Sequence, residues 1–360
     1  MKAAVYYGNT DLRWEDVPDP ETRPGHVKVR VAHNGICGTD IHEFFEGPML
    51  TPVWPHLLTG VTLPVVLGHE FSGTVVEVGD GVTRVTEGDR VAIEPVINCG
   101  NCHPCRRGDY NLCDISAFLG LSSQDGGGLG EYVVVDAGRV HVLPENVSLE
   151  SGAVIEPLSV ATHAVRRANS RPDDRIVVHG AGPVGLGIIQ TLALRGAERI
   201  IVSETSALRR SVLESMKIQG VEAILDPTAS DICQEISARV DDIGADLTFV
   251  VAGRSTAKKP DGSPLIPLNT AMESTRRGGR VVSVATHPEM SIHPDVLTFK
   301  ELTVIGSAAY TKTDFELVLD AMKKQQYTVE PWVEHRQPTD IATAMADMRD
   351  GKACKVLIDL

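Results

Sequence analysis

The chain has 360 residues, of which 42% are hydrophobic and 23% charged, a composition that suits two globular domains and excludes a disordered or fibrous protein. Its formal net charge of −14 argues against nucleic acid or anionic membranes as partners, because both are polyanions. The sequence shows no secretory signal at its start and no run of about 18 apolar residues that could span a bilayer, so we expect a cytoplasmic protein without membrane attachment.

Short valine-rich runs broken by glycine, proline and aspartate extend to about residue 157. Runs such as 27–31 and 73–79 predict an antiparallel β domain. This region contains a thiol, an imidazole and a carboxylate that could bind zinc and leave one position open for catalysis: Cys37, His69 and Glu156. Each of the three also has an ordinary interpretation as a core or surface residue, so only the set supports a metal site.

Four cysteines in a 15-residue window follow the pattern C-x2-C-x2-C-x7-C, namely Cys99, Cys102, Cys105 and Cys113. Four thiolates can close a tetrahedron around zinc with no open position, which predicts a structural site. Crowding of this kind favours metal binding in a reducing compartment over a disulfide framework. A zinc-ribbon protein that binds nucleic acid could use a similar lobe, but the acidic charge argues against that alternative.

From about residue 160 the pattern changes to strand–helix alternation. Strands are predicted at 175–179, 199–203, 246–251 and 279–285, and helices at 183–195 and 207–219. Repeated units of this kind indicate a parallel, doubly wound sheet. Residues 254–267 are predicted to form a surface loop. The tail contains predicted helices at 312–323 and 339–349 and a strand at 354–360, and the pattern leaves open which domain it joins.

A glycine-rich turn lies between the strand at 175–179 and the helix that follows it. The motif G-x-G-x-x-G comprises Gly180, Ala181, Gly182, Pro183, Val184 and Gly185. The first glycine permits the tight turn, the second lets a pyrophosphate approach the backbone, and the third allows close helix–strand packing. Proline suits the first helical position, where it has no N–H to lose. Alone, the motif could equally be an ordinary glycine-rich turn.

Glu204 ends the next predicted strand, about 20 residues beyond the turn. A carboxylate there accepts hydrogen bonds from the adenosine ribose and repels a 2′-phosphate, so the sequence predicts NAD rather than NADP. Arg209 is a possible cofactor contact that weakens this preference, although it could also be a solvated helix charge.

Several segments together carry a family resemblance: GICGTDIH (35–42), GHE (68–70), the four-cysteine lobe and the GAGPVG turn (180–185). Over essentially its full length the chain resembles the zinc-containing medium-chain alcohol and polyol dehydrogenases. The resemblance implies a GroES-like zinc domain formed by residues 1–158 and 307–360, so that the tail returns to it. It implies a Rossmann NAD-binding domain at 159–306.

The same resemblance implies two zinc ions per chain, one structural and one catalytic. It makes Cys37, His69 and Glu156 the catalytic ligands, with Glu70 adjoining the metal as an alternative direct ligand. Zinc lowers the pKa of a bound hydroxyl, so that hydride can pass to NAD, and Thr39 and His42 form a relay for the proton. The family also suggests a homodimer or homotetramer.

Within this family, the long segment between Cys37 and His69 is similar to that of 2,3-butanediol dehydrogenases. This implies a small vicinal diol or hydroxyketone as substrate, with oxidation of (R,R)-2,3-butanediol to acetoin or reduction of acetoin or diacetyl. Trp54, Leu57 and Phe118 could line the small pocket or belong to the core. The alternatives are a sorbitol-, xylitol- or arabinitol-type polyol dehydrogenase, an L-threonine dehydrogenase, or a non-catalytic NAD-binding protein.

Overall fold

In the computed structural model, residues 1–253, 257–285 and 293–360 are described. The chain divides into two compact units, Met1–Glu156 with Thr311–Leu360, and Pro157–Tyr310. The boundaries fall at residues 156 and 310, where the sequence predicts 158 and 306. The first three residues of the predicted loop at 254–267 lie outside the described residues.

The first unit begins with a largely antiparallel β structure. Its strands up to residue 142 are β1 (Lys2–Gly8), β2 (Asp11–Asp16), β3 (His26–Gly35), β4 (Val65–Val66), β5 (Glu70–Val78), β6 (Arg90–Ile93), β7 (Val96–Ile97), β8 (Ala117–Phe118), β9 (Tyr132–Asp136) and β10 (Val140–Val142). Its helices here are α1 (Gly38–Glu46), α2 (His103–Arg106) and α3 (Leu149–Ala153), with 3-10 turns at Tyr110–Leu112 and Ala137–Arg139. In β3 the valines at 27, 29 and 31 are buried and the cations between them are not, which is the two-residue period of a strand with one face in the core.

Helix α4 (Ile155–Ala168) contains the boundary between the units. The second unit has the strands β11 (Arg175–His179), β12 (Arg199–Ser203), β13 (Val221–Leu225), β14 (Ala245–Val250), β15 (Thr275–Ser283) and β16 (Thr303–Gly306). Its helices are α5 (Pro183–Leu194), α6 (Ala207–Met216), α7 (Ile232–Ser237), α8 (Pro267–Ser274) and α9 (Pro294–Phe299). The strands form a parallel sheet in the order β13-β12-β11-β14-β15-β16, which confirms the predicted doubly wound class. Strand order reverses beside β11, so the carboxyl end of that strand faces the crevice where such sheets bind ligands.

The C-terminal tail belongs to the first unit. It comprises α10 (Lys312–Lys323), β17 (Val333–Arg336), α11 (Ile341–Arg349) and β18 (Lys355–Asp359), with 3-10 turns at Glu330–Trp332 and Pro338–Asp340. Strand β18 pairs antiparallel with β3, and β17 pairs parallel with β18. The resulting sheet has the order β10-β6-β5-β3-β18-β17, with β9 also paired to β3. Among the described residues no helix has both the length and the apolar character needed to cross a bilayer.

Asp246 links the starts of three neighbouring strands in the second unit, β11, β14 and β15. Its Oδ2 accepts hydrogen bonds from the backbone N–H (2.9 Å) and Nε (2.8 Å) of Arg175, and its Oδ1 accepts one from Arg276 Nε (2.5 Å). Burial would raise the pKa of this carboxyl, but the two guanidinium groups hold it well below its usual range. The charged form is therefore the one that stabilises the fold.

We expect Asp246→Asn to lower the free energy of unfolding by roughly 1.5–3 kcal/mol at neutral pH, the usual contribution of hydrogen bonds to charged groups. Because the folded-state pKa is depressed, this contribution is fully present above the unfolded carboxyl pKa of about 3.9 and is lost as the pH falls below it. Urea unfolding of the wild-type protein and the Asp246→Asn variant between pH 7 and pH 3 measures this difference in the free energy of unfolding. A difference between the proteins that stayed constant down to pH 3 would contradict the charge-based explanation.

Candidate active site and cofactor site

Cys37, His69 and Glu70 form a compact group of potential metal ligands in the first unit. One ligand atom from each lies within 4.8 Å of the others. Cys37 follows β3 and caps the N-terminus of α1, whereas His69 and Glu70 lie at the start of β5. The imidazole and the carboxylate are buried, with 4% and 1% of their surface exposed. The donor set of one sulfur, one nitrogen and one oxygen suits zinc with an open fourth position.

Asp40 adjoins this group, although the sequence does not predict it. Its Oδ2 accepts a hydrogen bond from the Cys37 backbone N–H (3.0 Å), which is part of the capping box of α1. Its Oδ1 lies 3.5 Å from His69 Nδ1, and within the described residues these two buried atoms have no other hydrogen-bond partner. A carboxylate on one ring nitrogen orients the imidazole so that the other nitrogen can bind a metal. The arrangement therefore suits zinc at this site.

The pKa values of Cys37 and His69 shift in opposite directions. Burial would raise the pKa of the Cys37 thiol, but the neighbouring His69 lowers it to about 7. Burial would lower the pKa of His69, but Asp40 and Cys37 raise it well above its ordinary value. These shifts favour positive charge on the imidazole beside negative charge on the sulfur, and a divalent cation next to the sulfur would be favoured for the same reason.

Lys355 from β18 is a further buried member of the site. Its Nζ donates to a carboxylate oxygen of Glu70 and to the backbone carbonyl of Ile36, the latter at 2.9 Å. Lysine and glutamate are both essentially unexposed, and burial lowers the pKa of the lysine to about 8. Gly35 makes room for the pair, because a Cβ there would lie 2.5 Å from the glutamate oxygen and 2.7 Å from the lysine Cε.

Glu156, the carboxylate that the resemblance favours as a zinc ligand, is in the first turn of α4. It is 7% exposed and makes interactions of its own. The carboxylate of the compact group described above is Glu70. The two predicted relay residues, Thr39 and His42, are three residues apart on α1 and so share one face of the helix. His42 Nδ1 lies 3.7 Å from Glu46 Oε1.

The four cysteines of the predicted structural site converge as expected. Their sulfurs lie within 4.8 Å of one another, and Cys99 Sγ and Cys105 Sγ are 4.0 Å apart. Zinc–sulfur bonds of about 2.3 Å in a tetrahedron place sulfurs about 3.8 Å apart, so the cluster suits zinc. Backbone N–H groups of Asn101 and Cys102 point at Cys99 Sγ and lower the pKa of that thiol to about 6.

The glycine-rich turn lies at the carboxyl end of β11 and leads into α5. Gly180 has a φ of +111°, and a Cβ there would lie 2.9 Å from Ala252 N. A Cβ on Gly185 would come within 2.1 Å of the Gly180 carbonyl oxygen, so close packing requires this glycine. Around Gly182 the space is open, with Arg209 Nη1 at 3.9 Å as the nearest atom to a built Cβ. That opening is at the N-terminus of α5, where phosphate is favoured.

Glu204 follows β12 and is bound to the glycine-rich turn. Its Oε2 accepts a hydrogen bond from Ala181 N, and its Oε1 accepts one from Ser206 N, both at 2.7 Å. The carboxylate therefore holds the turn in place. Arg210 donates to the carbonyls of Glu204 and Thr205 and pairs with Asp226 at 2.9 Å.

The segment after α1 is anchored by a buried acid that the sequence analysis does not predict. Glu43 accepts hydrogen bonds from the backbone N–H groups of residues 49–51 and from the Thr51 hydroxyl (2.6 Å). Beyond this anchor Trp54 and Leu57 are 79% and 84% exposed, so neither belongs to the core. They line a surface groove of about 440 Å³. Phe118 packs against the core of the first unit.

Two protein families match separate parts of the chain. The family described as alcohol dehydrogenase GroES-like domain matches residues 23–145, and the family described as zinc-binding dehydrogenase matches residues 183–324.

Individual relatives extend these matches over most of the chain. The (R,R)-butanediol dehydrogenase of Bacillus subtilis (strain 168) is 39% identical over 336 residues, covering 92% of this chain and 91% of that protein. Sorbitol dehydrogenase of the same organism is 33% identical over 315 residues, with 87% and 83% covered. The crystal structure of 2R,3R-butanediol dehydrogenase from Bacillus subtilis superposes with a TM-score of 0.87 at 36% identity, covering 100% of this chain and 99% of that one.

Proposed function

The chain belongs to the zinc-binding alcohol dehydrogenases with a GroES-like domain, and from that premise we propose that it transfers hydride between NAD(H) and a small vicinal diol or hydroxyketone. The observation that carries the catalytic part is the compact group of Cys37 with the buried His69 and Glu70, which offers zinc three different donors. The proposal of this substrate class depends on the similarity of the chain to (R,R)-butanediol dehydrogenases. We propose (R,R)-2,3-butanediol and acetoin as the pair, with acetoin or diacetyl reduction as the reverse direction.

In this proposal Cys37, His69 and Glu70 hold the catalytic zinc. When bound, zinc polarises the oxygen of the substrate and stabilises the negative charge that develops on it. Asp40 fixes the ring of His69, and Lys355 fixes the carboxylate of Glu70 and balances its charge. Glu156 remains the alternative carboxylate. Zinc retention after dialysis distinguishes the two, because Glu70→Gln but not Glu156→Gln should lose the catalytic ion.

The proton of the alcohol is proposed to leave through the hydroxyl of Thr39 and the imidazole of His42, which share one face of α1. An imidazole can exchange a proton with solvent near neutral pH. We expect His42→Gln to lower kcat, while His103→Gln, which changes an exposed histidine of α2, leaves kcat unchanged. An unchanged kcat in the His42 variant would exclude the relay.

NAD is the proposed cofactor, because the buried carboxylate of Glu204 would accept hydrogen bonds from the ribose and repel a 2′-phosphate. Glu204→Ala should weaken NADH binding by about 10- to 100-fold, since it removes a charged hydrogen-bond acceptor. The binding of NADPH should weaken less, because the same change relieves the repulsion of its 2′-phosphate. Fluorescence titration with both cofactors measures the ratio of the dissociation constants.

The matched control is Glu222→Ala, which removes an acid of β13 that is 39% exposed and paired with Arg199. This control should leave both dissociation constants unchanged. An unaltered NADH:NADPH ratio in the Glu204 variant would show that this carboxylate does not select the cofactor.

The substrate proposal is tested by steady-state kinetics with NAD over the stereoisomers of 2,3-butanediol, sugar alcohols and L-threonine. The highest kcat/KM should belong to (R,R)-2,3-butanediol. A higher value for sorbitol would favour the polyol alternative, which the similarity to sorbitol dehydrogenase keeps open. Treatment with a chelator should abolish turnover with every substrate, and activity that survived metal removal would overturn the zinc-dependent mechanism.

We further propose a cytoplasmic homodimer or homotetramer that acts on its small substrate without nucleic acid or a membrane as partner. The net charge of −14 supports the exclusion of polyanions. The crowding of four thiols supports a reducing compartment. Light scattering of the purified protein measures its assembly state.

A further inference from the structure

Three side chains outside the sites described above meet on one face of the sheet in the first unit. His33 is on β3, Asp359 on β18 and His335 on β17, and these are three adjacent strands. Asp359 is directly opposite His33 in the antiparallel register. His335 is opposite Leu357 in the parallel register, two residues before the aspartate. Residues two apart on a strand point to the same face, so strand pairing itself assembles the three side chains.

The geometry brings both imidazoles to one carboxylate oxygen. Asp359 Oδ1 lies 2.8 Å from His33 Nδ1 and 2.7 Å from His335 Nδ1. The rings meet edge to face with their centroids 5.4 Å apart, and one ligand atom of each residue lies within 4.8 Å of the others. The side chains are 24%, 38% and 36% exposed for His33, His335 and Asp359, so a cation can enter from solvent.

This donor set is typical of sites for borderline divalent cations. Two imidazole nitrogens and one carboxylate oxygen bind zinc in tetrahedral geometry with bonds of about 2.0–2.2 Å, which places the ligand atoms about 3.3 Å apart. The observed separations would need to open by about half an ångström, a small change for partly exposed side chains. A cation would take the place of the protons that the two Nδ1 atoms now direct at the carboxylate, and water would complete its coordination.

Glu150 supplies a further feature of a metal-binding histidine. Its Oε1 lies 3.6 Å from His335 Nε2, on the opposite side of the ring from Asp359. Metal-bound histidines usually present their second ring nitrogen to such a carboxylate, which orients the ring. The hydrogen bond with Asp359, partly offset by burial, and the charge of Glu150 raise the pKa of His335. The surroundings therefore favour positive charge at this position.

We propose that His33, His335 and Asp359 form a third, exchangeable metal site that binds Zn²⁺ or a similar divalent transition cation, in addition to the two zinc sites described above. Binding crosslinks β3, β18 and β17. Strand β3 leads directly into Cys37, and β18 carries Lys355. A metal bound at this site therefore links the two strands that position Cys37 and Lys355 in the catalytic group.

The test is equilibrium dialysis of the holoenzyme with Zn²⁺, after dialysis into metal-free buffer has left only tightly held ions. The wild-type protein should take up one further equivalent, and Asp359→Asn and His335→Ala should not. Glu150→Gln should bind this equivalent about tenfold more weakly, the usual effect of removing a partner behind a ligand. His26→Ala, which removes another histidine of β3, is the matched control and should retain it.

Two further measurements keep the result independent of dehydrogenase activity. Titration calorimetry in buffers of different ionisation enthalpy should show proton release on Zn²⁺ binding in the wild-type protein. Added Zn²⁺ should raise the Tm of the wild-type and His26 proteins but not that of Asp359→Asn, which keeps the size of the side chain. The proposal is overturned if the wild-type protein takes up no further equivalent, or if Asp359→Asn and His335→Ala both retain it.

Discussion

Replacing Cys37 by serine or His69 by alanine is expected to lower kcat/KM for diol oxidation by roughly 10³-fold or more. Each change removes a donor from the proposed catalytic zinc site, and the stabilisation of developing charge by a metal contributes several kcal/mol, at about 1.4 kcal/mol per factor of ten. Cofactor binding should persist, because the glycine-rich turn and Glu204 belong to the other unit. Steady-state kinetics and NADH fluorescence titration on the same preparations measure both quantities.

Cys233→Ser is the matched control for the thiol, because this cysteine is in α7 of the second unit and outside both cysteine-containing ligand groups. It should retain turnover, and the Cys37 and His69 variants should each contain one zinc fewer per chain by metal analysis. Loss of NADH binding together with turnover would contradict the assignment of chemistry and cofactor binding to separate groups. Full turnover in either ligand variant would refute the catalytic zinc site.

In the zinc-free protein, Lys355→Met is expected to destabilise the first unit by about 3–5 kcal/mol, because it leaves the buried carboxylate of Glu70 without its partner. The same change should lower kcat, since the lysine also holds the carboxylate that the proposed zinc site uses. Urea unfolding monitored by tryptophan fluorescence measures the stability change, because Trp14, Trp54 and Trp332 all belong to this unit.

Lys352→Met is the control, since this lysine is 67% exposed and should change stability by less than about 0.5 kcal/mol. The double variant Glu70→Gln with Lys355→Met should unfold at higher urea than the single lysine variant, because it removes the unpaired charge. Equal urea midpoints for the double variant and the Lys355→Met variant would show that the lysine acts through packing rather than through its charge.

The sequence predicts the second unit well where apolar runs are long. The strands Arg175–His179 and Arg199–Ser203 have their predicted bounds, and the parallel sheet and the family are confirmed. The sequence analysis does not predict β13, β16 or β17. These three lie at the edges of their sheets and bury few side chains, so the apolar pattern on which strand prediction depends is weak.

The carboxylate of the proposed catalytic site illustrates a different limit. Adjacent residues of a strand normally point to opposite faces, which argues against His69 and Glu70 sharing a site. His69 precedes β5, which begins at Glu70, so this alternation does not govern the pair. Gly68 has a φ of +98° and turns the chain immediately before them, and a Cβ there would lie 2.5 Å from Leu129 N. A left-handed glycine can be suspected from sequence, but the direction in which it sends the next two side chains depends on what packs around it.

What the sequence determined by itself is therefore the chemistry that lies within short segments: the four-cysteine lobe and the glycine-rich turn with its acid. These features are local because a loop of 15 residues or a strand–turn–helix unit brings its own side chains together. Only the tertiary structure decided that Lys355 meets Glu70 and that His33, His335 and Asp359 converge. Those pairs are up to 326 residues apart, and their contact follows from the register of β18 against β3, which only the assembled sheet specifies.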